Sequence, residues 1–365
     1  MALLPMDQMA LATVPVSSYI VGSALASVPA ALTMRRIGRR LGFILGTGIG
    51  GLGAVLAATA VALGLFWGFT AGMLLIGGAG AFLQQYRFAA ADASPPEYKP
   101  RAIAWVMAGS VVTGVLGPQL AIHAPALVPA IPLAGPFLAL VGLYVVAAIV
   151  LSRLKVPAPL PIGSGPQGRP LQSIVLQPRF LIALVGAVSS YALMSLVMTA
   201  TPLAMVAHHH SQADAQTGIQ WHVIAMFAPS FFTGALIARL GKSTIAATGL
   251  LLIAAAATVA LMGTTLWHFW IALILLGVGW NFGFIASTAM VTELYRPEEA
   301  FRVQAVNEFI LFTFVALASL ASGGILVASG WTLVNQLVYP IVAVAIALIV
   351  GRAVMARRAQ EPATP

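Results

Sequence analysis

Gln84, Gln85 and Arg87 form the densest polar group inside any apolar run of this chain, and Asn307 with Glu308 stands about a turn and a half into another. A polar or charged side chain inside lipid is expensive, so each is a candidate for function. Arg87 could bind an anionic group, or pair with Asp92 or Glu308; the competing reading is an arginine snorkelling to the headgroups from near a span end. Glu308 is the one acid placed inside a span, which makes it the first choice for proton coupling, with Asn307 beside it. The alternative is a carboxylate favoured by the positive end of its own helix.

A second group offers shape rather than charge. Trp280, Asn281, Phe284, Ser287 and Thr288 recur at helical spacing and share a broad face. An amide and hydroxyls beside aromatic rings suit an organic solute with flat parts, although Asn, Ser and Thr also serve as interhelical glue. Tyr191, Met194 and Met198 line one face of another run and could touch apolar solute or simply pack. His208, His209, His210, Asp214 and the pair Trp221-His222 could bind metal or sense pH. A defined metal site needs fixed geometry, so no metal is assigned, and His222 is the better proton carrier. With no cysteine in the chain, thiolate chemistry and disulfides are excluded. No nucleophile–base cluster, phosphate loop or cofactor motif is present, so the reading is not an enzyme and calls for no cofactor.

These groups are positioned by membrane spans. The chain is 60% hydrophobic and 7% charged, with a mean hydropathy of +0.97, too little polar surface for a soluble domain. At about 20 apolar residues per crossing, the sequence divides into about eleven runs: 11–33, 41–64, 67–90, 102–123, 131–152, 178–203, 219–240, 244–264, 267–291, 303–327 and 331–354. The net charge of +9 sits in short loops, an orientation signal rather than a nucleic-acid surface. If the arginine-rich loop at 34–40 is cytoplasmic, alternate loops must be too, and all 18 Lys and Arg then fall on that side. The expected topology is therefore an inner-membrane, multi-pass protein with its N-terminus outside and C-terminus inside. A Pro-, Gly- and Ser-rich stretch at 154–177 reads as a flexible cytoplasmic linker between a bundle of five spans, 1–153, and one of six, 178–365.

The loop Arg35-Arg36-Ile37-Gly38-Arg39-Arg40 has a fainter copy, Arg239-Leu240-Gly241-Lys242, in the same register. This repeat, with the central linker, resembles the major facilitator superfamily, whose signature follows the second helix and recurs after the eighth. Arg36, Gly38, Arg39 and Arg40 match the first copy; Gly234, Arg239, Gly241 and Lys242 match the second. The family's first glycine is Ala31 here, and its aspartate is Arg35, or Ala238 in the second copy, so any cytoplasmic charge lock must use another acid such as Asp92. The resemblance implies an all-α fold of two bundles whose gating loops carry those basic residues. It further implies that the first span corresponds to the family's second helix, with the true start upstream of Met1. The implied function is secondary active transport of a small organic solute by alternating access, driven by an ion, a proton first. The competing class is a non-transporting receptor or assembly partner on the same scaffold. A flat, vitamin-like solute fits the aromatic rings of the tenth family helix.

Overall fold

The computed structural model describes residues 14–154 and 168–358; Asp7, Lys155, the start of the first expected span and most of the linker lie outside them. Every regular element among the described residues is helical. The helices are α1 (Val14–Ile37), α2 (Arg39–Ala62), α3 (Phe66–Asp92), α4 (Lys99–Gly109), α5 (Val111–His123), α6 (Gly135–Leu151) and α7 (Leu171–Val175). They continue with α8 (Pro178–Ala207), α9 (Gln212–Phe227), α10 (Ser230–Leu240), α11 (Lys242–Met262), α12 (Leu266–Val291), α13 (Ala300–Gln336) and α14 (Val338–Arg358).

Among the described residues eight helical stretches are long and apolar enough to cross a membrane, and the bent pair α9–α10 makes a ninth. One of the eight runs from Ala300 to Met355. At 1.5 Å per residue it would be roughly 80 Å long against a hydrocarbon core of about 30 Å. It turns at Gly330, whose φ of 77° favours glycine, and so supplies two crossings. The helices α4 and α5 abut at Ser110 and are each too short alone. The count accommodates the eleven runs read from hydropathy.

The chain resolves into two compact units. One gathers Met1–Ala89, Val115–Leu171 and Arg296–Leu320; the other gathers Ala90–Gly114, Gln172–Tyr295 and Ala321–Pro365. The first has a core of Ala30, Met34, Phe43, Ala81 and Phe82, with Tyr86, Leu151 and Phe301 packed against it. In the second, α11 and α12 meet backbone to backbone, since a Cβ added at Gly249 would lie 2.3 Å from the nitrogen of Gly283. Small residues give such contact where no hydrophobic force drives helices together in lipid.

The repeated loops have one backbone shape. Gly38 (φ 84°, ψ 158°) precedes α2 and Gly241 (φ 85°, ψ 152°) precedes α11, a conformation open to glycine at little cost. A second internal repeat escaped the hydropathy reading: Pro96-Glu97 with Arg101, and Pro297-Glu298 with Arg302, at equal spacing after α3 and α12.

The end of the linker is clamped within the first unit. Glu299, fully buried, accepts from the Arg169 amide (2.8 Å), its Nε (2.9 Å) and Nη2 (2.7 Å), and from the Arg296 amide (2.9 Å). The Arg169 guanidinium bonded to it, aided by the amides, holds the Glu299 carboxyl down at about 2. The clamp's contribution is therefore complete above the ordinary carboxylate range and is lost as pH falls through about 2. Hydrogen exchange at the Arg169 amide checks this. Its protection is expected to be flat from pH 7 to about 4, and to fall roughly tenfold or more at all pH in Glu299→Gln, the loss of a charge-assisted bond.

Candidate functional site

In the second unit, α12 turns Trp280 and Phe284 toward α8 and α9, and both are buried to 1% exposure. Their rings stack at 5.1 Å and 19°. Tyr191 of α8 sets its edge to both, at 5.3 and 5.2 Å, and Phe227 of α9 closes on Trp280 at 5.5 Å. This is an aromatic nest on three helices, held by edge-to-face contacts. Two of its polar atoms have no hydrogen-bond partner among the described residues: Trp280 Nε1 and, one turn beyond Phe284, Ser287 Oγ. A buried donor left unpaired costs about 1–3 kcal/mol, a penalty that a ligand acceptor would remove. Thr288 is buried next to Ser287, while Tyr191 and Met198 are half-buried on α8.

Asn281 shares the sequence face but has a different task. Its Nδ2 donates to the Met226 carbonyl and to Ser230 Oγ, both at 2.6 Å, and its Oδ1 accepts from Thr233 Oγ1 at 2.6 Å. These bonds brace the break between α9 and α10 at Pro229, where the backbone ladder is interrupted. Both ends of its amide are thus engaged by the fold. Asn281→Ala is expected to destabilise the protein by about 1–3 kcal/mol through the stranded Met226 carbonyl, while the Thr233 hydroxyl keeps the Pro229 carbonyl at 2.8 Å. Thermal unfolding in detergent measures it, and Asn281→Ser should recover part of the loss.

His222, fully buried on α9, has Nδ1 2.7 Å from the Leu273 carbonyl oxygen. A carbonyl only accepts, so Nδ1 carries the proton and the Nε2 lone pair faces inward without a partner among the described residues. The neighbouring Trp221 is 48% exposed. The histidines of the α8–α9 loop are used locally: His210 Nε2 meets the Thr264 carbonyl at 2.8 Å, and the rings of His208 and His210 lie against Phe269. Asp214 forms a capping box with Ser211. Among the described residues no group of three or more side chains is gathered to hold a metal ion.

The first unit holds the charged pair. Arg87 Nη2 lies 2.6 Å from Glu308 Oε1, with both side chains 1% exposed. Arg87 also bonds the side chain and carbonyl of Gln84, and its guanidinium lies over Phe88. Asn307 Nδ2 donates to Glu308 Oε1 at 2.8 Å. Of the two partners weighed for Arg87, Glu308 meets it within the first unit; in the second unit Asp92 accepts from the Tyr295 hydroxyl at 2.9 Å. Arg87 is therefore not a snorkelling side chain. The Gln85 amide is fully buried with neither atom bonded among the described residues, and Glu308 Oε2 is likewise unpartnered.

The gating-loop residues divide. Arg39 is 9% exposed, donates to the Gln85 carbonyl (3.4 Å) and Gln304 Oε1 (3.5 Å), and stacks over Phe301 at 5.0 Å. The Gln85 and Gln304 oxygens and the Phe301 ring are thus among the partners of Arg39. Arg40 donates to the Ser152 carbonyl, and Lys242 in the second copy pairs with Glu293. Arg36 and Arg239 are exposed.

Sequence reasoning missed Glu299 and its partner Arg169, and three tyrosines of the first unit, Tyr19, Tyr86 and Tyr144. An acid in a loop reads as solvated and a tyrosine in an apolar run reads as bulk. The repeated Pro-Glu spacing marks Glu298 and stops one residue short of Glu299.

The family model described as Major Facilitator Superfamily matches residues 8–228 and 182–365. The chain belongs to the major facilitator superfamily. It is 48% identical over 345 residues to the riboflavin transporter RfnT of Brucella anthropi, covering 94% of this chain and 87% of that protein. It is 28% identical over 341 residues to the uncharacterized MFS-type transporter YddS of Bacillus subtilis, covering 89% and 78%. Solved structures of the superfamily share the fold. The human organic anion transporter MFSD10 superposes with a TM-score of 0.73 at 15% identity, covering 93% of this chain and 83% of that one. A single-residue variant of the Escherichia coli fucose:proton symporter FucP gives 0.71 at 16%, covering 95% and 93%. This superfamily member is accordingly a multi-pass membrane transporter of a small solute rather than an enzyme.

Proposed function

We propose that this transporter carries riboflavin, or a flat heteroaromatic solute of the same kind, and that the aromatic nest of α8, α9 and α12 receives the ring. The observation that carries the reading is the buried Trp280 Nε1 without a partner among the described residues, set among stacked and edge-on rings. A planar ring system with carbonyl oxygens on its edge supplies both an acceptor for that N–H and a face for Tyr191 and Phe284. The 48% identity to a riboflavin transporter supports it. Half-buried Tyr191 is the movable edge through which a ring would enter.

Transport runs by alternating access of two bundles, 1–153 and 178–365, in the inner membrane. The N-terminus lies outside and the C-terminus inside, since all 18 Lys and Arg then share the cytoplasmic side. Protons drive it through the Arg87–Glu308 pair, with His222 as a second carrier. Growth of a riboflavin auxotroph on limiting vitamin tests the substrate. Expression of this chain should lower the riboflavin needed for growth by at least tenfold, and no change in that requirement would refute the reading.

A further inference from the structure

The nest of α8, α9 and α12 is one-sided in its polarity. Its rings carry no charge, and the polar atom they bury without a partner among the described residues is Trp280 Nε1. An indole nitrogen donates and never accepts. The other buried polar atoms of these three helices without a partner among the described residues stand away from it. Ser287 Oγ lies seven residues on and packs against α8, where a Cβ added at Gly186 would fall 2.5 Å from it. His222 Nε2 belongs to a ring that meets α12 at Leu273, seven residues before Trp280. At 1.5 Å per residue, each is about 10 Å along the helix from the indole. Asn281, next to the indole, has its amide taken by Met226, Ser230 and Thr233.

A flavin ring seated here lays its face against the stack of Trp280 and Phe284 or the neighbouring rings and turns one edge to the N–H. In the oxidised ring the polyol chain leaves from N10, on the side of N1, and would find no polar partner among Tyr191, Phe227 and Phe284 at their ring edges. The edge turned to Trp280 is therefore the opposite one, made of N5 and the C4 carbonyl, and both of these accept. Reduction by two electrons and two protons puts a hydrogen on N5, so that a donor then faces a donor. The indole N–H is left as unpaired in the loaded protein as in the empty one. Reduction also bends the ring across N5 and N10, which spoils its fit to flat aromatic walls. It makes N1 acidic enough to ionise near neutral pH, and a charge buried without a partner costs far more than a neutral polar group.

We propose that Trp280 makes the nest selective for the redox state of its solute: it takes the oxidised, flat, acceptor-edged ring and turns away the dihydro form. The inference rests on the reading that the nest receives a flavin ring, and it adds which chemical state of that ring is carried. Trp280 is on this account a specificity-determining residue, because one N–H rewards the acceptor edge and opposes the donor edge.

Equilibrium dialysis of the full chain in detergent against labelled riboflavin tests it, once in air and once without oxygen in excess dithionite. The chain has no cysteine, so the reductant has no disulfide to open. The oxidised vitamin should bind at least tenfold more tightly than the reduced one. In Trp280→Phe the affinity for the oxidised form should fall at least tenfold and that for the reduced form less than twofold, so the preference shrinks at least fivefold. A residue that only packs the nest would weaken both forms alike. Equal affinity of the unaltered protein for the two forms, or an unchanged preference in Trp280→Phe, overturns this inference and leaves the solute reading standing. Failure of the oxidised vitamin to bind the unaltered protein overturns both.

Discussion

Trp280→Phe is expected to lower riboflavin affinity by about ten- to a hundredfold while leaving stability unchanged or slightly raised. The ring stays, so stacking on Phe284 and the edge contacts from Tyr191 and Phe227 survive. What goes is a donor buried at 1% exposure without a partner among the described residues. Its loss removes a desolvation penalty of about 1–3 kcal/mol from the empty protein and the matching hydrogen bond from the loaded one. A residue that serves only packing moves stability and binding together, and this one should move them apart. Trp280→Ala gives the contrast: a cavity in the nest costs about 3–5 kcal/mol of stability in addition to binding. Thermal unfolding and flavin-fluorescence titration of the same preparations read both quantities.

Glu308→Gln should be the most damaging single change in the first unit. It leaves Arg87, 1% exposed, facing an uncharged partner in lipid-embedded protein. Removing one member of a buried pair costs about 3–5 kcal/mol, most of it from the stranded charge. Because a poorly folded variant would say nothing about coupling, the informative protein is the double Arg87→Met, Glu308→Leu. Replacing both charges by apolar groups of similar size is close to neutral for stability. That variant should fold and equilibrate solute down its gradient, yet fail to accumulate it when a pH gradient is imposed. Undiminished proton-driven accumulation by the double variant would remove this pair from coupling, while His222→Gln examines the other carrier in the same assay.

The crossings were legible because charge in hydrocarbon is costly enough to leave the basic residues in loops, and the two Gly-centred loops were legible because one backbone shape demands glycine twice. Depth was harder to read. Arg87 stands near the end of an apolar run, and sequence offered headgroup, Asp92 and Glu308 as partners; only the packing of α3 against α13 selects Glu308. Asn281 shows the limit of periodicity. Spacing puts it with Trp280 and Phe284, but its partners Met226, Ser230 and Thr233 come from an earlier helix pair whose break at Pro229 no helical wheel displays. The same applies to Glu299, whose four bonds depend on how Arg169 leaves the linker.

The most direct measurement of solute choice is counterflow in proteoliposomes loaded with unlabelled riboflavin. Labelled riboflavin outside should accumulate transiently, a flavin lacking the sugar-alcohol tail should compete because it keeps the ring that Trp280 meets, and ribitol should not. Accumulation no greater than in empty liposomes, or competition by ribitol equal to that by the bare flavin, would contradict a ring-binding nest on α12.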